Sequence, residues 1–371
     1  LLIAGFAAWA GAAAAQDITI GITATLTGQN AANGIPYRNA EEVYPKTLGG
    51  VPVHYTMLDD GTDPTTAAKN ARTFVDSGVD AILGSTSSVT AAAMMDLANS
   101  AQTPQIALSP VAISEAHRPF VFSLPQPVGL MVSAITADAK KRGIKSFAFL
   151  GYSDGWGDMN WDALQTAAKS QGIAVVLGER FGRTDTSVTA QVLKIIGAGA
   201  DAVYIGAAGT SGALPETTLR DQGYDGLIYQ THGSVQKPFI DAVGAAGEGT
   251  LLPSGPVVVA ADLPDSNPIK AVSLDFISKY DAKWGRGAAS PISGYAWDAM
   301  LVLDAAAARA VKVATPGTPA FRIALRDALQ DGHDVVGTNA VYHFTTTDHY
   351  GVDERARVVV VIKDGAFHLA N

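Results

Sequence analysis

The chain has 371 residues, 26 basic against 35 acidic, a formal net charge of −9, a 47% hydrophobic content and no cysteine. The acidic balance, with no lysine or arginine cluster, argues against nucleic acid or anionic lipid as a partner. Without cysteine there is no disulfide, no thiol nucleophile and no lipid-modified cysteine, so stability has to come from core packing, and the length suits two domains of about 100–200 residues.

The chain opens on LLIAGFAAWAG, apolar and uncharged, followed by small residues up to Ala15 and then by Gln16 and Asp17. This is the pattern of the apolar core and cleavage site of a secretory signal peptide, and it is too short for a membrane span, which needs about 20 apolar residues. Residues 1–15 are therefore expected to be a cleaved signal, the alternative being a buried N-terminal helix.

Residues 18–25 form an apolar, β-rich run that ends in the turn Leu26-Thr27-Gly28. A helical pattern covers 37–48 and a strand pattern 51–58. Asp63-Pro64 then opens a helix, with aspartate as the cap and proline in the first turn. Its apolar positions include Ala67, Ala71 and Phe74, and Gly78 ends it. A buried strand (79–83), a polar loop (84–88), a helix (89–100) and a strand (105–108) follow. Beyond the proline-rich stretch 122–127 the alternation restarts. Helices over 129–141, 158–171, 187–198 and 214–222 lead into strands over 146–150, 173–177, 202–205 and 227–230. Residues 252–256 read as a return crossing. Helices over 268–284, 295–311 and 320–330 come next, then strands over 340–345 and 357–362, the latter forming a hairpin with 366–369 through Asp364-Gly365. Strands alternating with helices predict an α/β chain, in which parallel sheets carry helices on both faces.

The sequence carries no reactive constellation. There is no Gly-x-Gly-x-x-Gly after the first strand, no phosphate loop, and no close His-x-x-x-His pair among the seven histidines. Neither catalytic residues, nor a metal site, nor a cofactor is expected. Asp59, Asp60 and Asp63 read as a loop and a helix cap rather than a cation site. The informative feature is Gly84-Ser85-Thr86-Ser87-Ser88-Val89-Thr90, between a buried strand and a helix start. Ligands of open parallel sheets bind at such strand ends. The loop could serve as a carboxylate site, using free N–H groups and the hydroxyls of Ser87 and Ser88, or merely cap the helix.

Taken in order, several motifs resemble the type I periplasmic binding proteins, in the leucine/isoleucine/valine-binding branch that serves ABC importers. They are Leu26-Thr27-Gly28, the run from Leu58 to Ala67, Gly84 with its serine-rich loop, Ser109-Pro110, Gly155-Trp156-Gly157 and Tyr295-Ala296-Trp297-Asp298-Ala299. The resemblance implies two Rossmann-like lobes joined by three crossings: residues 17–123 and 254–345 in one lobe, 124–253 and 346–371 in the other, with the third crossing near 345–350. It also implies that Ser88 binds a ligand carboxylate, that Ala112 and Ile113 supply main-chain contacts, and that Asn33, Trp156 and Tyr295 wall the side-chain pocket.

The departures from the amino-acid binders bear on the ligand. Ile113 stands where they carry a threonine, and His232 stands near their acidic residue; both of those groups help hold an α-ammonium. An apolar group cannot satisfy a buried ammonium, so a carboxylate without an amino group fits better, and His232 could donate to it. The segments 206–215, with Gly209, and 230–233 resemble a subgroup associated with aromatic acids, leaving room for a flat ring between Trp156 and Tyr295.

The expectation is a non-enzymatic, monomeric periplasmic component of an ABC importer. It would capture a small carboxylate such as a benzoate and deliver it to a membrane permease. The alternatives are a receptor for an apolar amino acid, a two-lobed enzyme, and a sensory ligand-binding subunit.

Overall fold

The computed structural model describes residues 16–370; the expected signal, 1–15, lies outside them. No helix among the described residues is long and apolar enough to cross a membrane.

The first sheet contains β1 (Ile18–Ala24), β2 (Thr47–Leu48), β3 (Val51–Asp59), β4 (Ala81–Leu83), β5 (Gln105–Ala107) and β6 (Val121–Ser123), in the order β2-β3-β1-β4-β5-β6. All neighbours are parallel except β2 and β3. Six of the seven β1 residues are buried, because helices cover both faces of the sheet. On one face lies α1 (Ala31–Glu41); on the other lies α2 (Pro64–Asp76), followed by α3 (Ser88–Ala92) and α4 (Met95–Ser100). Asp63 caps α2 by accepting from Thr66 N at 2.8 Å. Phe74 lies so close to β1 that a Cβ on Gly21 would sit 2.4 Å from its ring, so only glycine fits there. The helix expected over 37–48 is α1, which starts earlier and ends before Pro45; the one expected over 89–100 is broken into α3 and α4.

The second unit begins with α5 (Val128–Lys141), β7 (Ser146–Tyr152), α6 (Gly155–Gln171), β8 (Ala174–Phe181), α7 (Thr189–Gly197) and β9 (Ala202–Gly206). It continues with α8 (Ala213–Asp221), β10 (Leu227–Gln230), α9 (Lys237–Val243) and β11 (Leu251–Ser254). The chain then returns to the first unit with α10 (Pro268–Trp284), α11 (Pro291–Ala310), α12 (Pro319–Leu329) and a small ribbon of β12 (Val335–Val336) and β13 (Val341–Tyr342). α11 starts at Pro291 rather than at 295, because Ser290 and Ser293 form a reciprocal capping box. It lays Tyr295, Ala299 and Leu303 on the core of Ile20, Ile22 and Phe122. Finally β14 (Val358–Lys363) and β15 (Ala366–Leu369) form the predicted hairpin and join the second sheet antiparallel, giving the order β15-β14-β11-β10-β9-β7-β8. Its core packs Val132, Phe147, Phe149, Leu164 and Ile205.

The chain thus passes between the units three times. Residues 346–356, expected with the second unit, pack with the first instead. His349 stacks on Phe122 at 4.1 Å and donates from Nδ1 to Val121 O at 2.7 Å, and Ala356 is buried in the first core. The third passage therefore falls between Ala356 and β14, not near 345–350.

Candidate functional site

The carboxyl ends of the two sheets face each other, and a cleft lies between them.

The loop after β4 is held from below. Asp60, fully buried, accepts from Thr25 Oγ1 at 2.9 Å, from Thr62 N at 3.1 Å and from the Ser85 hydroxyl. Burial raises the Asp60 carboxyl above its ordinary range, and the hydroxyl donors oppose that shift. Thr90 Oγ1 donates to Ser85 Oγ at 2.8 Å, and Thr86 Oγ1 accepts from Thr25 N at 3.0 Å. Ser85 and Thr86 are therefore structural. Asp59 and Asp63 are also occupied: Asp59 accepts from Leu26 N and Gly61 N, each at 2.8 Å, and Asp63 caps α2.

Ser87 and Ser88 behave differently. Ser87 occupies the cap position of α3, yet its side chain makes no capping bond. The hydroxyls of Ser87 and Ser88 are buried, have no partner among the described residues, and line the cleft. A buried hydroxyl left unpaired costs about 1–3 kcal/mol, so two side by side at a cleft point to a ligand that pairs them.

The second unit answers with His232. Its ring is 4% exposed and packs edge-on against Trp156 at 5.4 Å, and its Nε2 is buried without a partner among the described residues. Burial lowers the imidazole to about 4, so it is neutral at physiological pH. Trp156 Nε1 donates to Ala207 O at 3.2 Å, which fixes the indole as a wall. Glycine is required at 233, because a Cβ there would lie 2.8 Å from Ala208 Cβ. From the first unit, Tyr37 donates to Leu108 O at 2.7 Å and Tyr295 donates to Gln126 Oε1, so both line the cleft with satisfied hydroxyls.

The structure thus brings Asn33, Ser87, Ser88, Trp156, His232 and Tyr295 to one cleft. Ala112, Ile113 and Gly209 do not line it. Tyr350 pins Val111, accepting from its N–H at 3.0 Å and donating to its carbonyl at 2.6 Å, and the chain has left the cleft by the next residue. Ala112 is exposed, and Ile113 packs against the cluster of Ala91, Met95 and Val111. Ser109 and Pro110 take their place at the cleft. Ile113 therefore says nothing about an ammonium. The relevant fact is that no aspartate or glutamate lines the cleft among the described residues. Gly209 lies under the contact between the units, where a Cβ would come 3.4 Å from Asn33 Oδ1. Arg183, which sequence reasoning missed, also lines the cleft; the strand before it was read as ending at 177, whereas β8 runs on to Phe181 and puts Arg183 just beyond the strand end.

Residues 17–366 match the family described as periplasmic binding protein. A Leu/Ile/Val-binding protein homolog of Brucella melitensis is 26% identical over 262 residues, 66% of this chain and 70% of its own length. An extracellular ligand-binding receptor from Rhodopseudomonas palustris HaA2 is 42% identical with a TM-score of 0.94, covering 96% of this chain and 100% of that one. A solute-binding protein of an R. palustris ABC transporter, solved in complex with benzoate, shares the fold at a TM-score of 0.81 and 18% identity, with 95% of each chain covered.

Proposed function

The chain belongs to the periplasmic binding protein family, with the two-lobed type I fold, and on that premise we propose that it captures a small carboxylate for an ABC importer. One observation carries the carboxylate reading. Among the described residues, Ser87 Oγ, Ser88 Oγ and His232 Nε2 are buried and unpartnered at a cleft that no acidic side chain lines. These groups can donate to a carboxylate, and nothing opposite them offers a charge partner to an ammonium. The rings of Trp156, Tyr37 and Tyr295 beside the small Ala208 and Gly233 suit a flat ring, so a benzoate or hydroxybenzoate is the favoured ligand.

The lobes would be residues 17–123 with 254–356 and 124–253 with 357–370, which revises the third boundary. Ligand enters the open cleft, the lobes close, and the closed form docks on a membrane permease. Closure follows from stronger contacts in the closed state. In this reading the protein is exported, acts as a monomer and performs no turnover.

The test is a thermal-shift panel on protein refolded to strip carried-over ligand, covering benzoate, 4-hydroxybenzoate, phenylacetate, short aliphatic acids, leucine and phenylalanine. A ligand at about 100 times its Kd adds roughly 2.7 kcal/mol of stability. Stabilisation by aromatic acids and not by amino acids is expected. Stabilisation by leucine or phenylalanine alone would instead assign the role that the name of the Brucella relative suggests.

A further inference from the structure

Arg183, just beyond β8, is the only charged side chain lining the cleft among the described residues. Its Nε donates to Asp154 Oδ2 at 2.6 Å, and its guanidinium lies 4.1 Å from the centre of the Tyr152 ring. The side chain is only 15% exposed. Asp154 Oδ1 meanwhile accepts from Trp156 N at 2.9 Å and Gly157 N at 3.3 Å, capping α6. One carboxylate thus positions both the guanidinium and the helix turn that presents Trp156. With Nε engaged, Nη1 and Nη2 make no hydrogen bond to any described residue. Those two donors are the pair that forks onto a carboxylate.

Arg183 lies at the same end of the cleft as the unpaired serines. Gly155 follows Asp154 and Val89 follows Ser88, and a Cβ on Gly155 would lie 3.9 Å from Val89 Cγ1. The starts of α3 and α6 therefore meet across the cleft, with Ser88 on one side and the Asp154–Arg183 pair on the other.

Resting on the carboxylate reading above, we infer that Arg183 is a specificity-determining residue whose Nη groups clamp the ligand carboxylate from the second lobe while Ser87 and Ser88 hold it from the first. The ligand's charge is then bridged between lobes. The Arg183 contact is complete only on closure, so it favours the closed form and selects an acid over its neutral isostere.

The experiment measures Kd by calorimetry for the tightest-binding carboxylate of the panel and for its primary amide (benzoate and benzamide in the first instance). It uses refolded wild-type protein, Arg183→Gln and Arg183→Lys. Wild type should prefer the acid, and Arg183→Gln should weaken the acid by about 10- to 100-fold while leaving the amide within about threefold. Arg183→Lys keeps the charge without the fork and should fall between the two, which preserves the test should the glutamine variant not fold. An acid affinity unchanged in both variants, or an equal loss for acid and amide, overturns the inference while leaving the carboxylate reading intact. If wild type binds no carboxylate of the panel, both fall.

Discussion

Asn33 Oδ1 accepts a 2.5 Å hydrogen bond from Gln236 Nε2, joining α1 of the first lobe to the segment before α9 of the second. Both side chains are buried, and Gly209, with φ +63, passes beneath them. The bond closes one edge of the cleft.

Removing it should loosen the closed form. Gln236→Ala is expected to lower ligand affinity about 2- to 10-fold, the worth of one net hydrogen bond, mostly through faster release. Stopped-flow dissociation measures this directly. An unchanged release rate would mean that closure does not draw on this contact.

Ser88→Ala separates binding from folding. The Ser88 hydroxyl has no partner among the described residues, so its loss leaves no group stranded. The melting temperature of the ligand-free variant should match or slightly exceed that of wild type. Carboxylate affinity should fall about 10- to 100-fold, as for a hydrogen bond to a charged group. Calorimetry and a thermal melt on the same sample check both, and an unchanged affinity would remove Ser88 from the site.

Two buried groups give stability opposite pH dependences. Burial lowers His232 to about 4, while an unfolded histidine titrates near 6.5. As pH falls from about 6.5 towards 4 the unfolded chain binds the proton first, so stability is lost across that window, by on the order of 3 kcal/mol. Glu216 lies under the same loop, accepting from Gln230 Nε2 at 2.7 Å and from the Thr250 hydroxyl, and burial raises it to about 7. A raised carboxyl contributes fully below its unfolded value near 4.3, and that contribution is lost as pH rises through about 7. Urea midpoints between pH 4 and 8 should therefore show His232→Asn gaining on wild type towards acid. Glu216→Gln should gain towards pH 8, again by on the order of 3 kcal/mol. A constant offset for either variant at every pH would contradict the assignment.

The sequence by itself determined the alternation of strands and helices, the Asp63 cap and the final hairpin, because each is set by neighbours within a few residues. The local pattern of a polar loop at a strand end singled out Ser87 and Ser88, whereas Trp156, His232 and Tyr295 were named only through the family resemblance. Only the tertiary structure decided which residues share the cleft. Tyr350 turns Ala112 and Ile113 away, across 239 residues of sequence from Val111. Arg183 is an ordinary basic residue until Asp154 and Tyr152, from another strand end, aim it inward. Whether a serine hydroxyl caps a helix or faces a ligand depends on partners that packing supplies. Those partners come from segments far apart in the chain, and a local pattern cannot name them.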